Sequence, residues 1–155
     1  MERRHLRYAH LHEAVADAKQ LSLGYTPTGG WDLAQNLSHL NKSMRMAIEG
    51  MAWGLPKFIR PLMRWWFLGR MERLGSQAIK MKAKAPPELQ PDHELDLDEQ
   101  LAEFERLAEL LESPDTPFVD CHPVFGKMTR AQWMIMQRWH AAHHLSFLVP
   151  QRPQS

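Results

Sequence analysis

The sequence predicts an all-α protein that folds as a single domain over residues 1–155, a bundle of four principal helices. Val and Ile are sparse, whereas the helix-favouring residues Ala, Leu, Met, Glu, Gln and Arg are plentiful. Apolar residues recur at helical spacing, and no segment alternates strictly between apolar and polar residues. A chain of 155 residues, of which 44% are hydrophobic, suits one hydrophobic core.

The first two predicted helices are separated by a break rich in glycine and proline at 24–30. The first helix is predicted over residues 2–23. The second is predicted to begin at Asp32, which forms a capping box with Gln35, and to end before Gly54.

A long connection, residues 53–95, joins the second principal helix to the third. Within it, residues 57–74 predict an extra helical segment that is broken by Pro61 and Gly69. Residues 53–70 mix three Trp, two Phe and four basic residues. We interpret this stretch as a dimer contact or a pocket wall in preference to a membrane-surface segment.

The third principal helix is predicted over 96–112. The fourth begins with the capping box of Thr129 and Gln132 and is predicted to run to about Leu148. The long connection permits a crossover, so the expected topology is up-down-down-up, with the second and fourth helices antiparallel.

Charge and cysteine content argue against several classes of protein. The net charge of +1 gives no support to nucleic-acid binding, and basic residues in 53–84 are offset by acidic residues in 88–120. Cys121 is the single cysteine, which rules out an intrachain disulfide and fits a reducing compartment. With no signal-peptide pattern and no apolar run of ~20 residues, we expect a cytoplasmic protein.

Residues 139–144 form the most informative stretch. His140 and His144 are four residues apart, so on a helix both imidazoles face one side and can bind one metal ion. His143 is spaced equally well for pairing with His140, and spacing alone leaves it as the alternative to His144. The competing interpretation is a hydrogen-bonded core histidine beside two surface histidines.

A third metal ligand is expected from another helix, and His39 is the only histidine in the second one. It lies ~10 Å from the start of that helix, while the midpoint of His140 and His144 lies ~9 Å from the end of the last helix. The three histidines therefore lie at the same height along the bundle axis if the two helices are antiparallel. The alternative interpretation is that His39 is an ordinary histidine at the edge of the apolar face. Three further histidines lack four-residue spacing and are interpreted as surface residues: His5, His10 and His12.

Three segments together resemble the DinB/YfiT-like superfamily: Trp31-x-x-x-Gln35-x-x-x-His39-Leu40, His122-Pro123-x-Phe125-Gly126-Lys127, and Trp133 with His140-x-x-His143-His144-Leu145. They are most similar to an uncharacterised branch with an H-P-x-F-G segment before the last helix. The resemblance covers residues 31–148. It implies an up-down-down-up four-helix bundle with a nickel, zinc or iron ion at one end, and its ligand pattern carries over onto His39, His140 and His144.

The resemblance also implies an activity, because relatives include transferases and isomerases that use a low-molecular-weight thiol. This chain departs from many relatives after the last histidine, where residues 145–150 replace a glycine-glutamine turn. We therefore expect a metal-dependent enzyme with an open three-histidine site, thiol-dependent transferase chemistry on a small molecule, and a homodimeric state. The alternative is a non-catalytic helical interaction protein whose histidine cluster is structural or vestigial.

Overall fold

The computed structural model describes residues 2–79 and 85–151, which are mostly helical. Its helices are α1 (Leu11–Ser22), α2 (Leu33–Glu49), α3 (Arg60–Leu74), α4 (Leu97–Glu112) and α5 (Arg130–Leu145). Its strands are β1 (Tyr25–Pro27), β2 (Cys121–His122), β3 (Gly126–Lys127) and β4 (Leu148–Pro150). Strand β1 pairs antiparallel with β4, and β2 pairs antiparallel with β3.

Both predicted capping boxes are confirmed. The Asp32 carboxylate accepts a hydrogen bond from the Gln35 backbone N–H at 2.8 Å, and the Gln35 side chain accepts one from the Asp32 N–H at 3.0 Å. Thr129 and Gln132 make the same reciprocal pair at the start of α5. These bonds satisfy backbone donors that have no partner inside the helix, so the local sequence determines where α2 and α5 begin.

The first helix is shorter than predicted, because residues 2–10 are not helical. The Arg4 N–H donates to the Ser146 carbonyl at 3.0 Å, and the Leu6 carbonyl accepts from the Ser76 N–H at 2.8 Å. Contacts with distant parts of the chain thus satisfy this backbone, and they override its helical periodicity.

The short strand pairs correct the all-α prediction and the end of the last helix. Helix α5 ends at Leu145 rather than Leu148, because the chain turns there into β4 and pairs with β1. Strands of two or three residues are too short to leave a recognisable alternation in the sequence.

The predicted breaks within α3 are wrong, because the helix continues through both Pro61 and Gly69. Pro61 lies in the first turn, where a backbone N–H has no partner to lose. Gly69 is exposed, and a helix tolerates it at a modest cost. Four outward-facing side chains on or just before α3 are exposed: Phe58, Leu62, Trp65 and Trp66.

Side-chain hydrogen bonds give the relative directions of the helices. Helices α2 and α5 run in opposite directions, as do α1 and α4, whereas α2 and α4 run in the same direction. The supporting pairs are Ser43–His140, Asn36–His144, Leu11–Glu112, Lys19–Glu105, Asn41–Gln100 and Arg45–Glu103. These four helices enclose the core, in which Trp133 and Phe104 are the largest fully buried side chains. Among the described residues, no helix combines the length and apolar character that crossing a bilayer requires.

Candidate metal centre

Helices α2 and α5 bring three histidines together, one from α2 and two from α5. One imidazole nitrogen each from His39, His140 and His144 lies within 4.8 Å of the other two. The Nε2 atoms of His39 and His140 are 3.0 Å apart. His39 is buried, and the other two are partly exposed towards a cavity. The opposite directions of α2 and α5 make this level arrangement possible.

The other ring nitrogen of each histidine is held by an oxygen atom. His39 Nδ1 lies 2.6 Å from the Leu89 carbonyl oxygen, and His140 Nδ1 lies 3.0 Å from Ser43 Oγ. A carbonyl oxygen only accepts, so His39 carries its proton on Nδ1 and presents a lone pair at Nε2. Ser43 both donates and accepts, so it suits either tautomer of His140.

His144 is oriented in the same way. Its Nδ1 lies 3.1 Å from Asn36 Oδ1, an acceptor, so its Nε2 is also a lone-pair donor. The Trp31 ring stacks against His144 with centroids 5.7 Å apart, and its centroid is 5.2 Å from that of His39. Anchoring of the second ring nitrogen is the usual support for a histidine that binds a metal.

Burial keeps these imidazoles neutral. Burial lowers the pKa of His39, and it lowers the pKa of His140 and His144 well below the usual value, with a further contribution from the neighbouring imidazoles. Only a neutral imidazole has a lone pair for a metal ion, so the cluster is in ligand form at pH 7 without losing a proton.

His143, the alternative ligand, has a different environment. Its Nδ1 accepts from Arg3 Nη2 at 3.0 Å, and its pKa is lowered to about 4 by burial and by the Arg3 charge. The structure thus groups His144 with His39 and His140, and it pairs His143 with Arg3. The assignment of any of them as metal ligands stays a prediction.

His122, in the H-P-x-F-G segment, supports a turn. Its Nδ1 accepts from the backbone N–H groups of Val124 at 3.0 Å and Phe125 at 3.3 Å, inside the β2–β3 hairpin. Burial lowers its pKa to about 3. Both bonds need an unprotonated Nδ1, so a neutral His122 ring stabilises this hairpin.

A cavity of about 960 Å³ opens over the three histidines, and most of its lining is apolar. Three residues of the 53–70 stretch line it, namely Trp53, Met63 and Phe67, so part of that stretch is a pocket wall. Five methionines lie on its walls: Met46, Met51, Met63, Met71 and Met136. Methionine side chains adapt to ligands of irregular shape.

Sequence reasoning missed the residues that orient the histidines. Asn36 and Ser43 lie three residues before and four residues after His39, so helical spacing already placed them on its face of α2. Nothing in the sequence indicates the role of the Leu89 carbonyl oxygen. Every residue has a backbone carbonyl, and only the fold of the long 53–95 connection brings this one to His39.

Comparison with known protein families gives a match over nearly the whole chain. A family model described as "Protein of unknown function (DUF1569)" matches residues 1–151. No curated protein and no solved structure matches the chain. Because the family match spans nearly the whole sequence, the protein belongs to the DUF1569 family of proteins of unknown function.

Proposed function

We propose that this protein is a divalent-metal-dependent enzyme with thiol-cofactor-dependent, transferase-like chemistry on a small molecule. One observation carries the proposal: one ring nitrogen each from His39, His140 and His144 lies within 4.8 Å of the other two beside an apolar cavity, and each Nδ1 atom is held by an oxygen. We also propose that α1, α2, α4 and α5 form a DinB-like four-helix bundle. The relative directions of those helices support an up-down-down-up arrangement.

The donor set fits a divalent transition ion. His39 and His144 each present a lone pair at Nε2, and His140 offers a third when its Nδ1–H donates a hydrogen bond to Ser43. Imidazole suits zinc, nickel and iron, and three protein ligands leave a coordination position open. An ion held there would lower the pKa of a thiol or a water molecule and so provide a nucleophile near pH 7.

The surrounding residues have separable tasks. Leu89, Ser43 and Asn36 hold the three rings in position, and Trp31 covers two of them. The methionine and aromatic walls exclude water and favour the apolar part of a substrate. No Asp or Glu occurs among the described residues that line the cavity, so a carboxylate base of the kind that peptide hydrolysis uses is absent there. This supports thiol activation over proteolysis.

The test is metal analysis of purified, untagged protein after incubation with nickel, zinc or iron. We expect the wild type to hold about one equivalent more than His140→Ala or His144→Ala, because each variant lacks a nitrogen of the three-histidine centre. His143→Ala is the matched control, because this residue lines the same cavity but lies outside the three-nitrogen group. A wild type that holds no more metal than His140→Ala would overturn the proposal, and loss of that equivalent in His140→Ala and His143→Ala but not in His144→Ala would make His143 the third ligand.

Catalysis needs its own test. The metal-loaded protein would be screened for transfer of low-molecular-weight thiols to electrophiles with an apolar body, with His140→Ala as the inactive reference. Detectable proteolysis by the loaded wild type would contradict the thiol assignment. We further propose the cytoplasm as the compartment, on the basis of the single cysteine.

The second candidate function is that of a non-catalytic interaction protein. The exposed aromatic side chains at α3 favour it, because large exposed apolar patches mark interaction surfaces. An intact protein that binds no metal would leave this reading in place.

A further inference from the structure

A second group of metal-ligating side chains lies outside the three-histidine centre. The group consists of His10, His12 and Glu112, and one ligand atom from each lies within 4.8 Å of the other two. His10 immediately precedes α1, His12 lies in its first turn, and Glu112 is the last residue of α4. Both histidines are exposed, and Glu112 is partly buried. This group is unrelated to the cavity and uses a different donor set.

The carboxylate of Glu112 is fixed by the backbone of α1. Its Oε1 accepts from the Leu11 N–H at 2.5 Å, which caps a helix that has no side-chain cap of its own. Its Oε2 lies 3.7 Å from His10 Nδ1. That separation is too long for a hydrogen bond. It is close to the distance of about 3.4 Å expected between two ligands of one tetrahedral zinc ion with bonds of 2.0–2.2 Å.

The two imidazoles lie side by side. Their planes are within 14° of parallel, and their centroids are 5.1 Å apart. The backbone explains this arrangement, because His10 is extended (φ −137°, ψ 154°) and His12 is already helical. The change from extended to helical backbone turns two side chains that are two residues apart towards one side, next to Glu112.

We propose that His10, His12 and Glu112 form a second site, which binds Zn²⁺ or a similar divalent transition ion at the surface. Two imidazole nitrogens and one carboxylate oxygen are a donor set that zinc uses, with water completing the coordination. Magnesium and calcium prefer oxygen-only sites, so they are poor occupants. The ion joins the start of α1 to the end of α4, and it therefore stabilises the contact between these helices.

Zinc titration by calorimetry tests the site in a His140→Ala background, where the three-histidine centre is disabled. We expect this variant to bind one zinc ion and the added change His12→Ala to weaken that binding by about tenfold or more. Glu112→Gln should weaken it as well, while its amide oxygen still accepts from Leu11 and preserves the fold. His5→Ala is the matched control, because His5 is another exposed histidine of the same segment.

Thermal unfolding gives an independent readout. Zinc should raise the unfolding temperature of His140→Ala, because the ion binds only when α1 and α4 are packed, and it should have no such effect once His12 is also replaced. Equal zinc affinity with and without His12 would overturn the proposal, and so would an equal loss in the His5 control. In the wild type, His12→Ala and His140→Ala should each remove a different equivalent of zinc. The failure of one proposed site is therefore distinguishable from the failure of the other.

Discussion

Ser43 gives the three-histidine centre a property that the other anchors lack. Leu89 and Asn36 offer oxygens that only accept, whereas the Ser43 hydroxyl donates to one tautomer of His140 and accepts from the other. Without a metal, His140 Nε2–H can donate to His39 Nε2 across their 3.0 Å gap while Ser43 donates to Nδ1. Metal binding requires the opposite tautomer, and rotation of one hydroxyl permits the change.

We therefore expect Ser43→Ala to weaken metal binding by roughly 10–100-fold, as loss of an outer-shell partner does. The measurement is competition against a chelating dye. Ser38→Ala is the control, because Ser38 is also buried on α2 and makes no contact with the histidines among the described hydrogen bonds. Equal affinities in the two variants would mean that Ser43 does not orient His140.

His122 makes the stability depend on pH. Its pKa is about 3 in the folded protein, against an ordinary value of 6.5, so the unfolded chain binds this proton first as the pH falls. The free energy of unfolding should therefore decrease from pH 6.5 towards pH 3, by about 1.4 kcal/mol per pH unit from this group. His122→Asn keeps an acceptor for the Val124 and Phe125 N–H groups but cannot take up the proton. Denaturant unfolding of metal-free protein should show a shallower acid dependence in this variant, and an identical slope would contradict the assignment.

At the scale of elements, the helix boundaries marked by a local capping signal were predicted correctly. Asp32 and Thr129 begin helices because capping chemistry lies within four residues of sequence. Residues 2–10 and the end of α5 were predicted wrongly, because their backbone partners are far away in the chain. The breaks assigned to Pro61 and Gly69 failed for another reason: both residues occupy positions where a helix accepts them.

The structure requires glycine at Gly75, which follows α3, but not at Gly69. It has a φ of +50°, and a Cβ atom there would overlap the Leu6 carbonyl oxygen. We expect Gly75→Ala to lower the free energy of unfolding by about 1–3 kcal/mol. Gly69→Ala is the matched variant within α3, where a Cβ meets nothing within 4 Å. It should raise stability by about 0.5–1 kcal/mol, and similar effects in both variants would contradict this reading.

At the scale of the whole molecule, the aromatic face at α3, formed by Phe58, Trp65 and Trp66, is exposed in the described part of the chain. Phe58 is 82% exposed, Trp65 81% and Trp66 60%, and each such side chain offers about 150–250 Å² for burial. The homodimer expected from the sequence stays a prediction, and we propose this face as its interface.

Light scattering after gel filtration tests that interface. We expect twice the chain mass for the wild type and a shift towards monomer in Trp65→Ser/Trp66→Ser. Leu23→Ser is the control, because Leu23 is 81% exposed elsewhere on the surface. A wild-type monomer would contradict the dimer, and co-sedimentation with lipid vesicles would assign the face to a membrane instead.

The part of the candidate site that could be predicted is the set of histidines, because their spacing along the helices indicates which side chains share a face. Spacing predicts His140 with either His144 or His143, and it places His39 at the same height along the bundle only if the two helices are antiparallel. The cavity was not predictable, because its walls come from α2, α3, α5 and the segments between them.

The two ends of the described chain are each other's partners. Arg3 donates to the carbonyl oxygens of Ser76 and His143, Arg4 donates to that of Leu145, and β1 pairs with the closing strand β4. During synthesis, therefore, residues 3–27 are made well before residues 143–150, which supply these hydrogen-bond partners. Pairing of these segments therefore needs the chain as far as residue 150, and a nascent chain stalled before residue 145 should leave residues 3–6 and β1 more open to proteases than the complete fold does.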